Sequence, residues 1–506
     1  MRNRHVVVVV LALVAGATPA VADTTNVPSR YTDQTLAWHL CTPDELTTQP
    51  THGLQGLECA TFRTPRDWDR RYERKDLTIA VSRLRSTGTT TASVLTNPGG
   101  PGADGRFFPA EDNFTRQTRL REHQEIVGID VRGTGRSTNV TCDGAIDLLK
   151  ELDARNRDPH NLNHILDTTQ RVASLCQQAL GDLGPVVNTY QTVRDLDLLR
   201  ILLGRDRINW VGYSGGSWLG AHYAQQFPQH TGRIVLDSNA EFTTTWQRSF
   251  DWQSLGFERR WREDFLPWMA GHDSTYHFGT TGDAVRQVYE RVRDALTRTP
   301  VDVGTVHVTA PKLDELTVSF LYQKSLFPTL ANILVTLRDL TGQGTADIQE
   351  AQAALTKTAG DSMRATFWAI LCGEGPWTGN RQTAIRDSNR AYNSGLTLIG
   401  GAWPLAQLCM FWTTPARPLP TMDGNGVPPV LMLQSTHDPA TPIEGARRAH
   451  AAFANSRMVT VTDEGDHGLY GFGNQALDTI VNDYLVNGTI PADQSVPGMP
   501  LPTPGA

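Results

Sequence analysis

Short apolar, β-rich runs alternate with helical patterns along most of this chain, and that alternation leaves few folds open. The runs are "DLTIAVSRL", "ASVLTN", "QEIVGIDV" with a strand expected over residues 125–131, "INWVGY", "RIVLD", "VLMLQ" over 430–434, and "RMVTVT". Helical patterns separate them: a region from about 145 to 183, then "TVRDLDLLRILLG", "WLGAHYAQQF", "IEGARRAHAAFA" and "ALDTIVNDYLV". A helix between two strands carries the chain back to the edge it left. The expectation is therefore an α/β fold with a mostly parallel sheet covered on both faces.

From about residue 241 to 415 the alternation stops and helical patterns dominate, with eight of the twelve tryptophans gathered there. The simplest organisation is an α/β core over 23–240 and 416–506, interrupted by a mainly helical cap over 241–415 inserted before the last strands. The proline-rich tail "IPADQSVPGMPLPTPGA" predicts loose order.

One strand-to-helix junction carries chemistry. In "INWVGYSGGSWLGAHYAQQF", Gly212, Ser214 and Gly216 meet a G-x-S-x-G pattern, whereas Ser217 lacks a glycine two places on. A nucleophile elbow needs a buried strand running into a helix through a turn so tight that only small residues fit beside the serine. Leu219, Tyr223 and Phe227, four apart, suit one face of the helix that follows. Ser214 is the candidate nucleophile.

Serine attacks only when a base takes its proton, and that base needs an acid to fix its tautomer and steady its charged form. Two strand ends downstream supply them in the order Ser, Asp, His that such folds use. "STHDPATP" after one strand offers Asp438, and "DEGDHGLYG" after the next offers His467. His437 precedes the acid on its own loop, His450 falls in a helical pattern, and choosing Asp463 or Asp466 would leave Asp438 without a purpose. For the oxyanion, one donor is expected from the backbone N–H of Gly215. The other is expected from "TNPGGPG" after an early strand, with Gly100 first, Gly99 in reserve, and Pro101 unable to donate.

The first residues, "MRNRHVVVVVLALVAGATPAVADTT", combine Arg2 and Arg4, an apolar run, and Ala20-Val21-Ala22. That is the pattern of a secretory signal peptide, 1–22, cut before Asp23; the run is too short for a comfortable membrane span. Six cysteines fit export, and local loop closure favours Cys41 with Cys59, Cys142 with Cys176, and Cys372 with Cys409. None has C-x-x-C spacing, so no metal is expected. A net charge of -7 offers no basic patch for nucleic acid, and no stable membrane association is expected.

"NPGGPG", "GIDVRGTGRS", "GYSGGSWLG", "RIVLDS", "HDPATPIEGA" and "GDHGLYG" together resemble, in order, the motifs of the secreted tripeptidyl aminopeptidases of actinomycetes. These are members of the prolyl aminopeptidase family of serine peptidases, within the α/β hydrolases. The resemblance runs from about residue 35 to 485. It implies a secreted, cofactor-free exopeptidase, expected to be a monomer, that removes short peptides, often tripeptides, from the free N-termini of peptides or proteins. Such an enzyme must hold a substrate ammonium, for which Glu374 in "CGEGPW" is the first candidate and Glu241 the second. Relatives with the same motifs include esterases, so a secreted carboxylesterase or lipase is the alternative. A non-catalytic binding protein on this fold would be expected to lack one of the three side chains, and none is missing.

Overall fold

The alternating runs assemble into one ten-stranded sheet in a computed structural model that describes residues 27–342, 349–355 and 360–504. The signal-peptide expectation lies outside the described residues. The strands are β1 (His39–Leu40), β2 (Leu57–Pro65), β3 (Asp76–Leu84), β4 (Ala92–Asn97), β5 (Gln124–Asp130), β6 (Ile208–Tyr213), β7 (Thr231–Asp237), β8 (Val430–Ser435), β9 (Ser456–Thr462) and β10 (Gln494–Pro497). They lie in the order β1-β2-β3-β5-β4-β6-β7-β8-β9-β10. The β1–β2, β2–β3 and β3–β5 pairs are antiparallel, and every pair from β5–β4 onward is parallel. All six residues of β6 and of β8 are buried, as a parallel strand covered on both faces requires.

Helices α1 (Pro159–Leu180) and α2 (Thr189–Leu202) lie between β5 and β6, and α3 (Gly215–Gln226) follows β6 directly. The helical region expected over 145–183 is broken in two: a short 3₁₀ turn, Ala145–Leu149, and then α1, which starts at Pro159 behind the Asp158 cap. In α3 nearly every residue is buried, not one face only, because the sheet, α2 and Trp246 of the 241–415 segment all pack on it. Trp218 of α3 stacks on Trp246 at 3.9 Å between ring centroids.

Between β7 and β8 the chain builds α4 (Gly282–Arg298), α5 (Ala310–Phe320), α6 (Phe327–Thr341), α7 (Asp361–Gly373) and α8 (Arg381–Asn393), with shorter helices and a small hairpin. Val285, Tyr289, Val292 and Leu296 form the buried stripe of α4, at helical spacing. They join Phe265, Leu313, Phe327 and Leu334 in an apolar core separate from the one around the sheet. At roughly 1.5–3 kcal/mol for each fully buried large apolar side chain, this second core is a substantial source of local stability. After β8 come α9 (Ile443–Ala452) and α10 (Gln475–Asn482).

Two features were not legible in the sequence. Residues 147–177, read as core, pair widely with the 241–415 segment: Arg293 bonds Asp153, Arg155 bonds Glu290, Arg157 bonds Asn389, and Arg381 bonds Asp167. The proline-rich tail is anchored, not loose. Residues 494–497 pair in parallel with β9, where an edge position tolerates Pro497 because half of its backbone groups need no partner. Beyond it the Pro502 carbonyl accepts the Trp268 indole N–H at 2.7 Å.

Candidate active site

Because β6 to β9 are parallel neighbours, the loops after them open on one edge of the sheet, where ligands of such folds bind. Ser214 follows β6 with φ 56° and ψ -121°, a left-handed conformation that costs a non-glycine residue about 1–3 kcal/mol. The turn is held shut by the Ser214 N–H donating to the Asp237 carbonyl at 2.9 Å, and by the Ser217 hydroxyl donating to the Ser214 carbonyl at 2.5 Å. Gly216 has no room for a side chain, since a Cβ there would lie 2.5 Å from the Asn97 carbonyl oxygen. This is the sharp strand-to-helix turn the pattern anticipates.

Asp438 follows β8 and is fully buried, while His467 follows β9 with its side chain 9% exposed. His467 Nδ1 lies 2.9 Å from Asp438 Oδ1 and 3.1 Å from Oδ2. Asp438 Oδ1 also accepts the backbone N–H groups of Ala440 and Thr441 at 3.0 and 2.8 Å, and Thr441 Oγ1 stands 3.3 Å from the same imidazole nitrogen. An acid held this firmly directs the Nδ1 proton toward itself and leaves Nε2 free to accept one.

The "NPGGPG" turn packs directly on the elbow. A Cβ at Gly99, where φ is +98°, would lie 2.7 Å from the Gly215 nitrogen and 2.9 Å from Ser214 Cβ. The Gly99 N–H is already given to Asn97 Oδ1 at 2.9 Å. Among the described residues no hydrogen bond takes the N–H groups of Gly100 and Gly215, which can therefore be offered to an oxyanion.

Neither candidate ammonium carboxylate is free. Glu241 grips Arg448 of α9 through two bonds, 2.8 and 2.5 Å. Glu374 is buried just past α7, where it accepts the Thr189 backbone N–H and the Trp246 indole N–H, the latter at 2.8 Å. Burial pushes its carboxyl up to about 7 despite those donors. Both carboxylates are thus bonded internally, and Glu374 ties α7 to α2.

Other residues around the candidate base escaped the sequence reading. Tyr322 and Gln323, between α5 and α6, fix the His467 backbone: its N–H donates to the Tyr322 carbonyl at 2.8 Å, and its carbonyl accepts Gln323 Nε2 at 2.5 Å. The Tyr322 ring meets the imidazole edge-on at 5.2 Å. Beneath lies a buried charge network. Arg260 bonds Asp264 and Asp466, Lys324 bonds Glu464, and His437 Nδ1 stands 2.8 Å from Asp264 Oδ1, a contact that raises the imidazole's proton affinity. Asp466 and His437, set aside above as acid and base, are the immediate chain neighbours of His467 and Asp438.

A mostly parallel sheet with a strained serine elbow after one strand, and an Asp–His pair after the second and third strands beyond it in the same parallel run, defines an α/β hydrolase. A family model described as TAP-like protein matches residues 397–497. Over 478 residues the chain is 31% identical to the tripeptidyl aminopeptidase of Streptomyces lividans, covering 90% of this chain and 84% of that protein. It is 27% identical over 466 residues to serine protease Hip1 of Mycobacterium bovis, covering 86% of each. It is 26% identical over 455 residues to carboxylesterase B of Mycobacterium tuberculosis, covering 87% of this chain and 86% of that one. The chain belongs to the tripeptidyl aminopeptidase family and is a serine hydrolase of peptidase type.

Proposed function

We propose that this protein is a secreted exopeptidase that releases short peptides, tripeptides foremost, from free N-termini, with Ser214, His467 and Asp438 as its catalytic triad. The observation that carries the triad is the 2.9 Å contact between His467 Nδ1 and Asp438 Oδ1 on loops beside the Ser214 elbow. Likeness to a tripeptidyl aminopeptidase over 90% of the chain supports the bond and the end attacked. Three disulfides, Cys41–Cys59, Cys142–Cys176 and Cys372–Cys409, support an oxidising destination. Among the described residues no helix is long and apolar enough to cross a membrane.

In this reading His467 Nε2 takes the Ser214 proton as Oγ attacks the scissile carbonyl, and the Gly100 and Gly215 N–H groups hold the oxyanion. Asp438 steadies the imidazolium, which then protonates the departing amine. Water deacylates the serine by the same steps in reverse. The segment 241–415, joined by residues 147–177, acts as a cap that limits how much of a chain enters, which accounts for a fixed short product.

Likeness to carboxylesterase B favours one rival, a secreted esterase with the same triad. The test is hydrolysis of a chromogenic tripeptide with a free N-terminus, its acetylated twin and a short-chain ester, with Ser214→Ala as the blank. Cleavage of the free peptide alone supports the exopeptidase. Turnover of the ester with neither peptide cut replaces it with the esterase, and activity surviving in Ser214→Ala removes the triad.

A further inference from the structure

We infer that Asp237 is a positioning residue for this chemistry, setting the loop that carries His467 against the turn that carries Ser214. The inference rests on the triad reading above. Asp237 ends β7, the strand between those that lead to the candidate nucleophile and the candidate acid, and it is fully buried. Its backbone carbonyl accepts the Ser214 N–H at 2.9 Å. Its carboxylate reaches the other way, accepting the N–H of Leu469 at 3.0 Å and of Tyr470 at 2.8 Å.

Ser238 completes the clamp. Its φ of 52° turns the chain sharply after β7, and its hydroxyl donates to Asp237 Oδ1 at 3.0 Å while accepting the Gly468 N–H at 2.7 Å. The N–H groups of the three residues that follow His467 are thus all taken by two residues next to the elbow. A second tie runs parallel to it, from the Tyr213 hydroxyl to the Tyr470 carbonyl at 2.9 Å. In this arrangement Asp237, Ser238, Tyr213, Leu469 and Tyr470 are all buried. Its effect is to fix the separation of Ser214 and His467, on which proton transfer depends steeply.

An ordinary core carboxylate would be expected to satisfy one neighbouring turn. Asp237 instead bonds segments more than two hundred residues apart, each adjoining a reacting group. Asparagine has the same shape but only one acceptor oxygen, so it cannot serve three donors.

The test compares the full-length enzyme with Asp237→Asn and Ser238→Ala. It uses the rate of Ser214 labelling by a fluorophosphonate probe, kcat and KM on the free tripeptide substrate, and thermal unfolding. The expected result is a fall of roughly tenfold to a hundredfold in both labelling rate and kcat for Asp237→Asn, with KM within about twofold. If that variant does not fold, Ser238→Ala, which removes the Gly468 acceptor and one donor to Asp237 but leaves the carboxylate and its Leu469 and Tyr470 contacts, decides the matter by a smaller fall in kcat at constant KM. Wild-type labelling and kcat in every folded variant overturn the positioning role alone. A wild-type protein that the probe does not label overturns the triad reading and this role with it.

Discussion

Arg260 Nη2 donates to Asp466 Oδ1 across 2.6 Å, so a residue of the helical segment after β7 grips the one that directly precedes His467. The same guanidinium bonds Asp264 at 2.7 Å and the Leu321 carbonyl at 3.2 Å, and its carbon lies 4.8 Å from the centre of the Phe327 ring. The segment and the His467 loop are therefore one electrostatic unit.

Removing that cation should cost both stability and activity. Arg260 is only 1% exposed, and without it Asp264 and Asp466 would remain as buried carboxylates deprived of their shared partner. Breaking a buried pair from one side costs about 3–5 kcal/mol. Arg260→Met should lower the denaturant midpoint accordingly and slow Ser214 labelling in the fraction still folded. An unchanged midpoint would show that the network contributes nothing net.

Gly99→Ala should cripple turnover while sparing the fold. The left-handed φ and the closeness of the Gly215 nitrogen leave no space for a methyl group unless the turn lifts off the elbow. Lifting it moves the Gly100 N–H away from the oxyanion position, and losing one such donor costs on the order of 10²–10³ in kcat. Steady-state kinetics beside a thermal melt would check this, with a preserved melt and a fallen kcat as the expected pair.

Much of this candidate site could be read from the sequence because its determinants are local. The elbow is written in six consecutive residues, 212–217, and Asp438 and His467 announce themselves by following apolar runs that pair as β8 and β9. Sequential cysteine pairing also follows from short loops. What escaped are contacts between residues far apart in the chain. Glu241 and Glu374 looked available because Arg448 and the Thr189 backbone lie 207 and 185 residues away, beyond any periodicity. Asp237 escaped because "RIVLDS" reads as a plain strand end until the His467 loop folds over it.

The Cys372–Cys409 bridge should stabilise the segment that buttresses the Gly99–Gly102 turn. It ends α7, whose Met363 carbonyl and Thr366 side chain press against Gly102. A crosslink closing a loop over a separation of 37 residues restricts the unfolded chain by about 4 kcal/mol in the loop-entropy model. The double variant Cys372→Ala, Cys409→Ala should therefore melt several degrees lower and show a raised KM as α7 loosens. A melt equal to the wild type would place the stabilisation elsewhere.

Glu374 should give the protein a stability that falls as pH rises. Burial holds its carboxyl protonated up to about 7, well above the usual carboxylate range. Between roughly pH 4.5 and 7 the folded state therefore keeps a proton that the unfolded chain has released, and across that interval each rise in pH favours unfolding. The contribution is fully present below the unfolded value and lost by the time pH passes the folded one. Asp237 and Asp466, both pushed up to about 6 by burial, act in the same direction, so the test must isolate Glu374. Glu374→Gln cannot ionise, and the gap in denaturant midpoint between it and the wild type should narrow or reverse from pH 5 to pH 8. A gap that stays constant over that range would mean the carboxyl is already ionised when folded, held so by the Thr189 and Trp246 donors.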